Sequence, residues 1–138
     1  MRTKGDSILL DTSVIVALLD SKDSLHEQSV AVVKENASKR FCILQQIVGE
    51  TYSVIARRCR ERKYDCKEAI SRVRELEQRC IILNAPFHQY HERVVEKLRK
   101  NCDLNYNDWL LVLFAKENSL NILSLDRKLL EEFWTNEE

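Results

Sequence analysis

Glycine and proline are nearly missing, with two residues of the first and one of the second in a chain of 138. Few tight turns are therefore available, which disfavours an all-β sandwich and favours helices joined by short connections. An excess of charge of either sign is missing too. Lys and Arg number 22, Asp and Glu number 22, and the net charge is zero. That excludes a generic polycation coating nucleic acid and leaves room for a local basic face beside an acidic pocket. No apolar run approaches the roughly 18 residues needed to span a membrane. The N-terminal MRTKGDS is polar and no signal-type apolar region follows it, so the expectation is a cytoplasmic protein without membrane contact. Five cysteines are present, at positions 42, 59, 66, 80 and 102, yet none forms a C-x-x-C pair. The close ligand pairs of a structural zinc site are thus lacking. Packed, reduced thiols are expected, with one disulfide left open only for a hyperthermophilic source.

What is present fits one domain over residues 1–138. Hydrophobic residues make up 44%, enough for a single core. Short apolar runs alternate with stretches at helical spacing. Ser7–Leu10 reads as a strand and Thr12–Leu19 as a helix. Ser24-Leu-His-Glu27 has the pattern of a capping box opening a helix to about Ser38. Phe41–Leu44 is a second strand and Gln46–Glu61 a helix. Asp65-Cys-Lys-Glu68 is another capping box, opening a helix to about Arg79. Cys80–Leu83 is a third strand, and Pro86 suits the start of the next helix. Asn105 caps a helix through Asn118 whose middle, Trp109–Ala115, is apolar on every side and must be buried on most faces. Ile122–Leu125 is a fourth strand, and Arg127–Trp134 a last helix. This alternation predicts an α/β fold, a three-layer α/β/α arrangement with a central parallel sheet of four to five strands. In such sheets, sites form beyond the carboxyl ends of the strands.

Four carboxylates stand out at such places. Asp11 ends the first strand in "ILLDTSVIVALLD", and Asp126 ends the last in "NILSLDRKL". Each could simply cap the helix that follows. Glu50 lies along the apolar stripe of its helix, between Ile47 and Val54, where an unpartnered carboxylate is costly. Asp108 is three residues past the Asn105 cap, where it suits the helix dipole, and it opens the most apolar helix in the chain. If the first and last strands are neighbours, the four come together. Two carboxylates about 5 Å apart repel by roughly 3 kcal/mol at an effective dielectric near 20. A divalent cation removes that repulsion, and oxygen-only ligands select Mg²⁺ or Mn²⁺ over zinc. Thr12, Ser13 and Ser124 accompany the acids and could orient a carboxylate or a phosphate. Local backbone hydrogen bonding is the alternative reading of these hydroxyls.

With "LLDTSVIVALL", "VGETYSVIARR" and "LNYNDWLLVLFAKENSLNILSLD" in this order and spacing, the chain resembles a PIN domain over nearly its whole length. In style it is similar to the small VapC-like toxins. The resemblance implies an acidic quartet at Asp11, Glu50, Asp108 and Asp126, supported by Ser124. It also implies a Mg²⁺- or Mn²⁺-dependent ribonuclease, a frequent homodimer, and an antitoxin protein that covers or enters the site. Housekeeping RNA processing and a non-catalytic scaffold remain as alternatives. A haloacid-dehalogenase-like phosphatase is discounted because Thr-Ser-Val follows Asp11, without a second aspartate.

Other features are weaker. Arg57, Arg58 and Arg60 cluster with Arg62 and Lys63 at the end of the Glu50 helix, and Arg127 adjoins Asp126. Arg57, Arg58, Arg60 and Arg127 are read as candidate RNA contacts, against the alternative of solvated helix ends. His88 and His91 stand three apart but lack an obvious third ligand. Tyr52, Tyr106 and Trp109 could stack on unpaired bases, with core packing the better reading for Trp109.

Overall fold

The computed structural model describes residues 6–135. The elements run β1 (Ser7–Leu10), α1 (Thr12–Leu19), α2 (His26–Glu35), β2 (Arg40–Leu44), α3 (Gln45–Arg62), α4 (Cys66–Arg79), β3 (Ile81–Leu83), α5 (Phe87–Lys100), α6 (Tyr106–Glu117), β4 (Asn121–Leu123) and α7 (Arg127–Trp134). The four strands form one parallel sheet in the order β3-β2-β1-β4. The expected three-layer arrangement is therefore present, with four strands. Leu10 pairs with Leu123 at the carboxyl ends of β1 and β4, so the first and last strands are indeed neighbours.

The crossovers explain the layers. β1 to β2 and β2 to β3 step in one direction, and β3 to β4 steps back across the sheet. Right-handed connections then place α1–α4 on one face and α5–α6 on the other. Packing agrees: α1 touches α2, α3 and α4, while α6 touches α5 and α7.

Burial follows from these positions. β1 is a central strand, and its Ile8, Leu9 and Leu10 are all buried, as a strand covered on both faces requires. Four successive residues of α1, Val14–Ala17, are buried, because the sheet, α2 and α3 surround this helix. In α3 the buried residues are Ile47, Thr51, Ile55 and Cys59, one stripe at four-residue spacing. All seven residues Trp109–Ala115 are buried, as their composition required.

Two local expectations are corrected. Ser24 does not cap α2, which begins at His26 and has no side-chain cap. Asp23 takes the Leu25 N–H at 2.8 Å while Arg58 holds its other oxygen at 2.7 Å, so a turn fixed from α3 replaces the cap. Only half of the second capping box forms. Asp65 accepts from the Glu68 N–H at 3.2 Å, and the Glu68 carboxylate accepts from Arg72 one turn on. The scarcity of glycine also shows: α3 closes on Lys63 with φ 56 and ψ 41, a left-handed position that glycine usually takes. The five cysteines are free thiols.

Candidate active site

The carboxyl edge of the sheet gathers the acids. Asp11 follows β1 and is 3% exposed. Its N–H bonds the Leu123 carbonyl of β4 at 3.0 Å, which extends the strand pairing by one residue and pins Asp11 beside the β4 tip. Its Oδ1 accepts from the Thr12 N–H at 2.8 Å, so it does cap α1. Its Oδ2 accepts from the Ser13 hydroxyl at 2.8 Å and from the Ser124 hydroxyl at 2.7 Å. Both serine oxygens in turn accept backbone N–H groups, Ser13 from Leu125 at 3.1 Å and Ser124 from Asp126 at 3.0 Å. Each serine hydrogen is thereby directed at Asp11. Burial pushes the Asp11 carboxyl up from its ordinary range, against the pull of Ser124, Ser13 and the Thr12 N–H; the nearby Asp126 charge adds to the rise.

The other three acids are anchored in the same economical way. Asp126 caps α7, accepting from the Lys128 and Leu129 N–H groups at 3.0 and 3.3 Å through one oxygen. Asp108 closes a reciprocal capping box: Asn105 N–H donates to its Oδ2 at 3.1 Å, and Asp108 N–H donates to Asn105 Oδ1 at 2.9 Å. Glu50 Oε1 accepts from the Thr12 hydroxyl at 2.6 Å, so it is held from α1 rather than snorkelling. Capping and site duty are therefore compatible. Among the described residues, the second oxygens of Asp126, Asp108 and Glu50 accept no hydrogen bond.

Electrostatics ties the four together. The Asp108 carboxyl is pushed up to about 6, first by burial and then by the charges of Asp11, Asp126 and Glu50, against the pull of the Asn105 N–H. Uncompensated carboxylates gathered in this way favour protons or a cation. Among the described residues, no three His, Cys, Asp or Glu side chains stand ready-made as a metal cage. The donor chemistry nevertheless fits a hard divalent ion, being all oxygen with three carboxylate oxygens uncommitted. The N-termini of α1, α6 and α7 also start at this edge, and helix N-termini favour anions such as phosphate.

The remaining candidates are dispersed. Arg127 is exposed next to Asp126, and Arg57 is exposed on the Glu50 face of α3, about 10 Å further along the axis. Arg60 lies about 15 Å from Glu50 along the same axis, because α3 runs away from the carboxyl edge. Arg58 is engaged elsewhere: it donates to Asp20 at 2.8 Å and to Asp23 at 2.7 Å. Arg62 joins Asp20 at 3.0 Å, and Tyr64 OH donates to the same carboxylate at 3.0 Å. Burial opposes ionisation of Asp20, but Arg58, the Lys22 N–H and Tyr64 hold its carboxyl below the ordinary range. Nothing in the sequence pointed to this network, whose side-chain partners are 35 to 44 positions apart. Trp109 is core, with its indole N–H on the Asn101 carbonyl at 3.0 Å. Tyr52 donates to Glu77 at 2.6 Å. His91 lies against Phe87 and Tyr106, and His88 is exposed.

Comparison with known proteins bears on this arrangement. Among solved structures, Mycobacterium tuberculosis VapC20, described as a sarcin-ricin loop cleaving toxin, is similar over 90% of this chain and 93% of its own, with a TM-score of 0.74 and 18% identity. PAE2754 from Pyrobaculum aerophilum is similar over 94% of this chain and 80% of its own, with a TM-score of 0.66 and 19% identity. VapBC2 from Rickettsia felis, bound to a DNA fragment from its promoter, covers 91% of each chain with a TM-score of 0.64 and 13% identity. These likenesses establish the fold. No curated protein matches the chain at a significant level. The PIN domain family model matches residues 8–132, a span that begins at β1 and ends in α7 and so contains all four acids. The chain belongs to the PIN domain family.

Proposed function

We propose that this protein is a ribonuclease that hydrolyses RNA phosphodiester bonds at the acidic edge, using Mg²⁺ or Mn²⁺, and that it serves as the toxin of a toxin–antitoxin pair. The observation carrying the reading is the gathering of four acids at one sheet edge: Ser124 ties Asp11 to the Asp126 N–H, Thr12 ties Glu50 to the α1 start, and Asp108 feels the charges of all three. Asp11, Asp108 and Asp126 would hold the cation, with Glu50 as a further ligand or as the holder of its water. When bound, the ion supplies positive charge against the phosphate and acidity for the attacking water.

The chain's own residues do the rest. Ser13, Ser124 and the Thr12 N–H fix the Asp11 carboxylate. The Thr12 hydroxyl fixes Glu50. The helix caps fix Asp108 and Asp126 while leaving one oxygen of each uncommitted. Arg127 and Arg57 are assigned as phosphate contacts because both are exposed, Arg127 next to Asp126 and Arg57 two turns beyond Glu50 on the same face of α3. The toxin assignment is supported by the neighbours, one described as a sarcin-ricin loop cleaving toxin and another as VapBC2 bound to a DNA fragment from their promoter. By the same support, the partners are RNA and an antitoxin protein; a homodimer is what membership of the family implies.

The test is cleavage of a mixed set of structured and unstructured RNAs in Mn²⁺, Mg²⁺ or EDTA, by wild type and Asp11→Asn. Metal-dependent cutting that is lost in the variant is expected. Cutting that survives EDTA, or that Asp11→Asn retains at the wild-type rate, overturns the reading.

A further inference from the structure

A second recess opens on the same carboxyl edge, over the tips of β2 and β3. It is about 250 Å³ in volume, and Gln46, Ala85, Phe87, Tyr90, His91, Tyr106 and Leu110 surround it. That is just below the roughly 300–1,000 Å³ of sites for drug-sized ligands, a size suited to one planar ring system.

Three features make it a built site. Gln46 donates its side-chain amide to the Ala85 carbonyl at 3.2 Å, which fixes the amide orientation. Its Oε1 is then buried and is, among the described residues, the one buried side-chain nitrogen or oxygen without a hydrogen-bond partner. Such an atom is destabilising until a donor reaches it. Phe87 is 69% exposed, yet it is not loose: its ring stacks on His91 at 4.3 Å between centroids and 19° between planes. His91 is in turn braced by Tyr106, Nδ1 to hydroxyl at 3.0 Å. A large aromatic held in a fixed plane at the surface is what base stacking needs.

The recess is also registered to the acids. Gln46 precedes Glu50 by four residues on α3, one helical turn or about 6 Å on the same face. Tyr106 precedes Asp108 by two residues in the first turn of α6. The strand order then carries the edge continuously from Asp126 after β4, through Asp11 after β1 and Glu50 after β2, to Phe87 after β3.

We propose that this recess is a nucleobase subsite: an unpaired base flanking the cleaved phosphate stacks on the Phe87–His91 platform and donates an N–H to Gln46 Oε1. The inference rests on the reading of the acidic edge as a nuclease site. It assigns Gln46, Phe87 and Tyr106 to substrate selection, with the exocyclic amine or ring N–H of the base as the recognised group.

Two measurements test it separately from catalysis. In EDTA, titration with the four nucleoside 5′-monophosphates, with ribose 5-phosphate as control, should shift the Gln46 side-chain amide and His91 ring resonances only when a base is present. Equal shifts with ribose 5-phosphate, or none with any nucleotide, overturn the subsite. In cleavage assays on single-stranded RNA, Phe87→Ala should raise KM about tenfold at nearly unchanged kcat, within the range of base–aromatic stacking. Gln46→Leu should redistribute cutting among sequences. Unchanged KM and unchanged cut sites in both variants overturn the subsite while leaving the nuclease reading intact. Base-dependent shifts in a protein that cuts no RNA keep the subsite and overturn the nuclease reading.

Discussion

Replacing Asp108 by asparagine should make the cation-free protein more stable at neutral pH. The side chain is held by the Asn105 N–H, and an asparagine oxygen can accept the same bond, so the capping box survives. What disappears is a charge facing Asp11, Asp126 and Glu50. The carboxyl is raised from 3.8 to about 6, roughly two units at about 1.36 kcal/mol each, which sets a ceiling of about 3 kcal/mol. Solvent reaches part of the side chain, and screening lowers the expected gain to about 1–2 kcal/mol. For a chain of this size that corresponds to a rise in Tm of roughly 3–10 °C. The pH dependence has a definite sign. A raised folded-state pKa means the group favours folding below its unfolded value, and this advantage is lost as pH climbs through about 6. The gap between variant and wild type should therefore open between pH 4 and 6 and stay constant above. Thermal melts followed by circular dichroism in EDTA, from pH 4 to 8, measure it. A gap that does not vary with pH, or a variant less stable at pH 7 than at pH 4 relative to wild type, refutes the argument that Asp108 sits in the field of the other acids.

Other consequences are simpler to state. Ser124→Ala removes a donor to Asp11 and strands the Asp126 N–H; RNA cleavage should fall about 10–100-fold, as expected for a hydrogen bond to a charged group, and an unchanged rate contradicts its positioning role. Arg58→Ala leaves Asp20 with Arg62 as its ion-pair partner, beside the Tyr64 hydroxyl and the Lys22 N–H, and urea denaturation should show a loss of about 2 kcal/mol. Because Arg58 helps hold Asp20 and Asp23 below the ordinary carboxylate range, that loss should persist at neutral pH and shrink as pH falls below about 4. Lys63→Gly should stabilise the protein by about 0.5–1 kcal/mol in the same assay, since the residue sits at φ 56 where a side chain is disfavoured.

The parts legible in the sequence were those set by local pattern. The run Ile8–Leu10 ending on Asp11 reads as a buried strand feeding a helix, because a strand covered on both faces must be continuously apolar. The apolar stretch Trp109–Ala115 could only be a buried helix. Glu50 stood out because it lines up with Ile47 and Val54; the buried stripe is Ile47, Thr51, Ile55 and Cys59, so Glu50 flanks it, half-buried and held by the Thr12 hydroxyl. Features set by distant partners were not legible. Ser24 has the cap pattern but loses the position to Asp23, which Arg58 fixes from α3. The same arginine reads as part of a basic cluster on paper and proves to be half of an ion-pair network. Ser29 is fully buried because its hydroxyl donates to the Val14 carbonyl at 2.7 Å, a bond no spacing rule predicts. Gln46 could be found only through the oxygen it leaves unpaired.

On the function proposed above, the four carboxylates from α3, α6 and the tips of β1 and β4 form one divalent-cation site. Its most direct test is Mn²⁺ binding, followed by the electron paramagnetic resonance signal of the free ion, to wild type and to Asp11→Asn, Glu50→Gln, Asp108→Asn and Asp126→Asn. These substitutions keep the side-chain shapes and remove one charge each. Wild type should bind Mn²⁺, and the three aspartate variants should each bind it much more weakly, with a smaller loss for Glu50→Gln. Binding that is absent in wild type, or equal in wild type and all four variants, would contradict the proposed site.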